Sequence, residues 1–449
     1  MFKKILIANR GEIALRIIRA CREMGIKTVA VCSEVDAHAL YVRHADEHLC
    51  IGPADSALSY LNVPNVLSAA EITGADAVHP GYGFLAENAH FAEVCESVGI
   101  TFIGPTSEHI ALLGDKSKAR EIMLRHGIPV MPGSEGELRN LDHAVQVAGE
   151  LGYPVMVKAS AGGGGRGMRV VSREAELGKA ILSAQVEART GFAHDGVYLE
   201  KYFPEPRHVE IQVLADEHGH AVHLGERDCS IQRRYQKLVE ESPSPAVDDS
   251  LRQEMGKVAL KVIKAVRYRN AGTVEFLLDQ NQKFYFMEVN ARIQVEHPVT
   301  EMVAGVDLIK EQIRVAAGMP LQFRQKDVQL HGHSIECRIN AECPETFAPS
   351  PGVVSRLHVP GGPGIRVDTA LEATGRVHPH YDSMIAKLIA HGRDRADALA
   401  RAQRALDEFA VEGIKTTIPL QRLILRDPDF QKGRVSTNFL DRLLAGRTL

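Results

Sequence analysis

The chain has 449 residues with Lys+Arg 53 against Asp+Glu 57, a formal net charge of -4, and 45% hydrophobic residues. That length sets an expectation of about three domains, and that composition supports a large buried core and excludes wholesale disorder. The mixed, mildly acidic balance lacks the basic stripe of a nucleic-acid binder, and no apolar run nears the roughly 18 residues of a membrane span.

The N-terminus opens with two lysines and a short apolar run, Ile5-Leu6-Ile7-Ala8. This falls short of the about 7–15 residues of a secretory signal core, so a cytoplasmic location is expected. Residues 4–9 read as a buried strand. Residues 11–24 read as a helix, with Ile13, Ile17, Cys21 and Met24 at helical spacing. Residues 27–32 return as a strand, completing a β-α-β unit that predicts a parallel sheet. The strand-to-helix turn, Asn9-Arg10-Gly11-Glu12, lacks the G-x-G-x-x-G of a dinucleotide site. The alternation runs to about Gly104-Pro105.

The middle of the chain predicts a helix near 116–126, strands at 154–159 and 168–171 around a Gly-rich loop, and a helical stretch over 173–188. Strands follow near 197–201, 208–214 and 220–225, then a helix near 248–266 and two strands at 273–278 and 283–289. From about His331 the pattern shifts to short strands and Gly/Pro turns, closing with a helix over 394–409 and Gly413 just past its end. The seven cysteines are irregularly spaced with no C-x-x-C, which reads as reduced, buried thiols.

Three features carry chemistry. Lys158 ends one predicted strand, and the glycines of Ala161-Gly162-Gly163-Gly164-Gly165-Arg166-Gly167 lead into the next. A glycine loop between strands can fold its backbone N–H groups over phosphates. Next, a hairpin turning at Asn281-Gln282 sets 280 opposite 283 and Glu275 opposite Glu288, with Cβ atoms about 5 Å apart. Like charges so placed call for a neutralising group, and a hard divalent cation with oxygen ligands is one. Finally, strand alternation carried past Glu288 puts Asn290, Arg292, Gln294 and Glu296 on the same face. Arg292 there offers a fork to a small oxyanion, and Glu296 a general base.

The Gly-rich segment with Lys158, together with Glu275, Glu288 and Asn290, resembles an ATP-grasp domain. The stretches Ile7-Ala8-Asn9-Arg10-Gly11-Glu12-Ile13-Ala14, His79-Pro80-Gly81-Tyr82-Gly83-Phe84-Leu85 and Gln232-Arg233-Arg234 resemble the biotin carboxylase family. So do Arg292-Ile293-Gln294-Val295-Glu296-His297-Pro298 and Glu336-Cys337-Arg338-Ile339-Asn340-Ala341-Glu342, so the likeness spans essentially the whole chain.

The resemblance implies a mixed α/β and α+β architecture in three parts. These are a Rossmann-like N-terminal domain over 1–113, an ATP-grasp domain over 114–330 with a mobile lid at about 131–203, and a mixed β/α C-terminal domain over 331–449. It implies a ligase that uses ATP to convert bicarbonate to carboxyphosphate, then passes the carboxyl group to biotin on a separate biotin carboxyl carrier protein. This would be the first half-reaction of acetyl-CoA carboxylase, in fatty acid synthesis, with carboxyltransferase subunits as further partners and a homodimer as the assembly.

By motif, Lys116 and Lys158 would contact ATP, Gly164 and Gly165 would close over its phosphates, and Glu200, Lys201 and Phe203 would line the adenine hinge, with His208, Gln232 and Leu277 completing the nucleotide site. Glu275 and Glu288 would touch ATP and, with Asn290, hold Mg2+ or Mn2+. Lys237, Arg292, Gln294 and Val295 would position bicarbonate, Glu296 would deprotonate it, and Arg338 and Tyr82 would meet biotin.

Two positions depart from the family pattern. Tyr235 stands where histidine is frequent, and it carries no positive charge near neutral pH. Ala161 replaces the first glycine of a longer run. No Met-Lys-Met biotinylation motif occurs; the nearest stretch, Asp382-Ser383-Met384-Ile385-Ala386-Lys387, does not fit, so biotin is expected on another chain. A carboxylase acting on another acyl-CoA, pyruvate, 2-oxoglutarate or urea would look the same here. A non-catalytic nucleotide-sensing scaffold predicts loss of Glu275, Glu288, Arg292, Glu296 or Arg338, and all are present.

Overall fold

The computed structural model describes residues 1–160, 168–192 and 195–445, so Gly164 and Gly165 lie outside the described residues. Its first elements are β1 (Lys4–Ile7), a helix (Gly11–Glu23) and β2 (Lys27–Cys32), as the apolar pattern predicts. With β3 (Glu47–Cys50), β4 (Ala77–His79) and β5 (Thr101–Phe102) they form a parallel sheet ordered β3-β2-β1-β4-β5. β1 lies between β2 and β4, so the chain reverses its direction of travel there and leaves a crevice at the strands' C-terminal ends. The Asn9 side chain crosses that crevice, donating to the Pro80 and Tyr82 carbonyls at 2.7 and 2.8 Å. An amide tie thus occupies the place of the missing glycine fingerprint.

A separate small sheet pairs β6 (Val155–Ala159) antiparallel with β7 (Arg169–Val171) and β8 (Val197–Lys201). The helices Leu141–Leu151 and Glu174–Phe192 supply the rest of its own core, built on Ala144, Val155, Val157, Leu177 and Leu199.

The largest sheet is antiparallel. It takes β9 (Arg207–Ala215), β10 (Ala221–Arg233), β11 (Gln236–Ser242), β12 (Asn270–Leu278), β13 (Phe284–Asn290), β14 (His333–Asn340) and the strands Met384–Gly392 and Ile365–Thr369. Its order is β13-β12-β9-β10-β11-β14 followed by those last two. β14 pairs β11 directly, so the segment after His331 extends the central sheet.

β10 runs on past the expected 220–225 to Arg233, where Arg234 and Tyr235, at φ of 47° and 67°, turn the chain into β11. Positive φ at both central residues matches the twist of paired strands. The last long helix is Arg395–Glu408. A strand, Ala410–Glu412, intervenes before Gly413, so that glycine follows a strand instead of capping the helix as its spacing predicted. Among the described residues no helix is long and apolar enough to cross a membrane.

A buried arginine stitches the large sheet. Arg227 on β10 has no exposed surface. It donates to Glu210 at 2.6 Å and Gln212 at 2.7 Å on β9, and to Thr273 on β12 and Thr300 on the helix His297–Ala304 at 3.0 Å each. Removing one member of a buried ion pair strands its partner. Arg227→Ala is therefore expected to lower unfolding stability by about 3–5 kcal/mol, read from urea-denaturation midpoints.

Candidate active site

The β12–β13 hairpin carries the acidic pair. Glu275 and Glu288 are Cα partners, as are Val274 with Val289 and Thr273 with Asn290. The turn itself differs from expectation. Asp279 N–H donates to Lys283 O at 2.8 Å, closing a three-residue loop with Gln282 at φ 62°. Asp279 Oδ1 accepts the Asn281 and Lys283 N–H groups at 2.8 and 2.9 Å, which fixes that geometry. The strands leave the turn one residue off the predicted register, with Leu278 facing Phe284. A shift between Phe276 and Glu275 leaves Met287 as the extra residue and restores the pairing of the two glutamates.

The charges there are neutralised by amines and an imidazole. Lys237 Nζ lies 2.5 Å from Glu210, 2.6 Å from Glu296 and 3.0 Å from Glu275. His208 Nε2 is 3.1 Å from Glu275, and Lys116 Nζ is 2.7 Å from Glu288. Asn290 Nδ2 donates to Glu275 at 2.8 Å. Burial works to raise the Glu275 carboxyl, but the Lys237 and His208 charges outweigh it and hold it well below the usual range. Glu296 is likewise held low against burial, by Lys237, Arg338 and Arg227. Burial opposes the Lys237 ammonium, yet its three carboxylates push it well above its ordinary value.

The nucleotide residues expected from the sequence, other than the two undescribed glycines, line one cleft of about 1030 Å³. Lys158 on β6 pairs with Glu200 on β8. Phe203 stacks on Tyr285 with centroids 5.2 Å apart. Gln232 Nε2 donates to the Cys229 carbonyl at 3.2 Å and lies 3.4 Å from His208 Nδ1. Lys201 Nζ is committed to the Gly152 carbonyl at 2.8 Å, and its backbone N–H donates to the Pro132 carbonyl at 2.7 Å. Leu277 shares its wall with Met131, Met156, Met168 and Met287. Those methionines escape sequence reasoning because they come from separate elements with no shared spacing.

The segment after β13 corrects an expectation. The strand ends at Asn290, and residues 291–296 form a loop leading into the helix His297–Ala304, with Pro298 in its first turn. Strand alternation fails, since Ile293 and Gln294 are both buried. The polar groups converge anyway. Arg292 donates to Gln294 Oε1 at 3.1 Å, Asn290 Oδ1 at 3.3 Å and Glu87 Oε2 at 2.9 Å. Glu87 Oε1 also accepts the Ala291 N–H at 3.2 Å. Glu87 comes from the segment after β4, and nothing in its local sequence sets it apart.

Glu296 has no exposed surface and sits behind the cleft wall formed by Lys237 and Arg338. Arg338 on β14 reaches Glu296 at 2.9 Å and Glu240 at 2.6 Å. The Val295 carbonyl accepts from Lys387 at 2.9 Å, and the Tyr82 hydroxyl donates to Glu12.

Comparisons with known proteins agree with this geometry. Residues 1–110 match the family model for the biotin carboxylase N-terminal domain, and residues 336–442 that for its C-terminal domain. Residues 115–324 match the ATP binding domain of the carbamoyl-phosphate synthase L chain. Biotin carboxylase 1 of Bacillus subtilis is 59% identical over 443 residues, 98% of either chain. A pyruvate carboxylase subunit of Methanothermobacter thermautotrophicus is 52% identical, covering 99% of this chain and 91% of the relative. Among solved structures, a Campylobacter jejuni biotin carboxylase complex with beta-gamma-ATP superposes with TM-score 0.96 at 50% identity, covering 98% of this chain and 99% of that one. The biotin carboxylase domain dimer of Hydrogenobacter thermophilus 2-oxoglutarate carboxylase, with MgADP, ADP and bicarbonate, gives 0.95 at 50% identity over 100% of both chains.

Lys237→Met removes the cation shared by three buried carboxylates and is expected to cost about 3–5 kcal/mol at neutral pH. Glu275 and Glu296 have depressed values in the fold, so their stabilisation exists above about pH 4.5 and fades as pH falls. The penalty of Lys237→Met relative to the parent should therefore shrink on acidification, measured by urea titrations at about pH 7 and about pH 4.

Proposed function

This chain belongs to the biotin carboxylase family of ATP-dependent ligases, and from that membership we propose that it carboxylates biotin borne by a separate biotin carboxyl carrier protein, as the first half-reaction of acetyl-CoA carboxylase in fatty acid synthesis. The supporting observation is at Gln294. Its side-chain Nε2 is buried, lines the cleft and has no hydrogen-bond partner, directly beside the Arg292 guanidinium. An orphaned donor next to a fixed cation fits a small oxyanion, and bicarbonate is one.

The residue roles on this reading are these. Lys116 and Lys158 face the phosphates, while Phe203, Leu277 and the methionine wall take the adenine side. Glu275, Glu288 and Asn290 form an all-oxygen donor set suited to Mg2+ or Mn2+. That ion, when bound, neutralises charge on the phosphate oxygens. Arg292, Gln294, Lys237 and the Val295 backbone orient bicarbonate. Glu296 accepts its proton as a bicarbonate oxygen attacks the terminal phosphorus and ADP leaves. The carboxyphosphate then gives its carboxyl group to N1′ of biotin and releases phosphate, which takes up the N1′ proton, with Arg338 stabilising the biotin enolate that this deprotonation creates.

Biotin attached within this chain at Lys387 does not fit, because that amine has no exposed surface and pairs with Glu12 at 3.0 Å. The similarity to pyruvate and 2-oxoglutarate carboxylase subunits favours a second reading, in which the same half-reaction serves one of those acceptors. The working assembly on either reading is a homodimer in the cytoplasm, with a carboxyltransferase as the downstream partner.

Purified protein with magnesium and ATP is expected to release ADP only when bicarbonate is present, and faster with free biotin. ADP release indifferent to bicarbonate rejects the function. Arg338→Ala should cut biotin carboxylation by roughly 100-fold or more while leaving nucleotide affinity within about threefold. Equal losses in both would remove Arg338 from the biotin step.

A further inference from the structure

Glu240 on β11 and Glu336 on β14 are direct Cα partners across an antiparallel pair, so both side chains leave the sheet on the same face. Neither has any exposed surface. Glu240 Oε1 accepts from Arg338, but its Oε2 has no partner, and neither oxygen of Glu336 has one. Lys387 is near, yet its ammonium is engaged by Glu12 at 3.0 Å and the Val295 carbonyl at 2.9 Å. Three unpaired acceptors on two facing, fully buried carboxylates carry a desolvation cost. One proton pairs two of the three and removes one of the two facing charges, because a protonated carboxyl donates an O–H where a carboxylate only accepts.

We propose that Glu240 and Glu336 share one proton, with Glu336 donating to Glu240 Oε2, and that this pair positions Arg338 for its contact with biotin. The positioning half rests on the biotin carboxylase reading above; the shared proton does not.

The charged and titratable groups that interact with the pair are Arg338, Lys387, Lys237, Glu296 and Cys229, with Cys337 on the opposite face of β14. Tyr82 also faces it, and Glu12 lies behind Lys387. Burial is the main cause that pushes Glu336 well above the usual carboxylate range, against Lys387 and with the Glu240 charge. Burial likewise pushes Glu240 up to about 7, opposed by Arg338. The cations resist protonation but do not overcome burial. A bare Glu336 anion would repel Glu240, and Glu240 carries Arg338 with it. Glu336 thus acts through Glu240 and is a positioning residue.

The first test is infrared spectroscopy of the parent and Glu336→Gln at about pH 7. The parent should show a protonated-carboxyl carbonyl band that the variant lacks; identical spectra overturn the shared proton whether or not the protein carboxylates biotin. The second test is pH-dependent unfolding. A carboxyl raised in the fold stabilises below about pH 4.5 and loses that stabilisation as pH rises, while glutamine is indifferent. Glu336→Gln should therefore gain in melting temperature over the parent between about pH 5 and about pH 9, and a constant difference overturns the proton.

The third test concerns positioning. The glutamine amide donates to Glu240 Oε2 in place of the O–H, so Glu336→Gln should keep free-biotin carboxylation within about threefold. Glu336→Leu offers no donor and should lose about tenfold or more in kcat/KM for biotin, with bicarbonate-dependent ATP hydrolysis in the absence of biotin preserved. Equal carboxylation by the two variants overturns the positioning role. Carboxylase activity absent from the parent itself, with the infrared band present, rejects the function and leaves the proton standing.

Discussion

A single ammonium group makes this site possible. Lys237 Nζ touches carboxylates from β9, β12 and the loop before the helix His297–Ala304. Three buried acids that close could not remain ionised without a shared cation, since each would lose its water and repel the others. With Lys237 between them, Glu275 and Glu296 both keep deprotonated carboxylates, as the proposed metal and general-base roles require. The same charge is passed outward, because Glu210 also receives Arg227 and Glu296 also receives Arg338. The lysine lies just beyond the Arg234-Tyr235 turn, where β11 begins, so the turn geometry aims it.

The rest of the chemistry is a matter of fixed separation. The acids proposed to hold the metal stand on β12 and β13, and the arginine proposed to meet biotin stands on β14 in the same sheet. Hydrogen-bonded strands set lateral spacing far more rigidly than a domain interface would. A reaction whose catalysis is mostly positioning and charge neutralisation gains from such a frame. Glu87 extends the frame to the parallel-sheet unit by holding both the Arg292 side chain and the adjacent Ala291 N–H.

Much of this was legible in the sequence where one physical rule dominated. Hydrophobic periodicity placed the first β-α-β unit and the long helices, and the glutamate pair was found by hairpin arithmetic. That arithmetic reached the right partners through two departures that cancel, a three-residue turn and the Met287 bulge. Period-two alternation failed beyond Asn290 because the chain leaves the ladder before His297-Pro298 opens a helix. The polar residues still converge there, drawn in by Arg292 hydrogen bonds and not by strand geometry. Lys237 as a shared clamp, Glu87 and the methionine wall had no local signal, since each depends on elements distant in the chain.

The pairing of Lys116, Lys158 and Lys237 in the cleft bears on how ligands enter. Tyr235, at the turn beside Lys237, offers a hydroxyl and no charge where the family often has histidine, and burial raises that hydroxyl further. On the proposed reading, phosphate charge is met by Lys116, Lys158 and Lys237. Each already has a carboxylate partner, namely Glu288 for the first, Glu200 for the second and the triad for the third. On the proposed reading, binding is therefore an exchange: phosphate replaces Glu200 at Lys158, and a divalent cation replaces Lys116 at Glu288, freeing that amine for the nucleotide. Because Lys116, Lys158 and Glu288 each trade one partner for another, part of the desolvation cost that would oppose binding a tetra-anion is met in advance by the resting network.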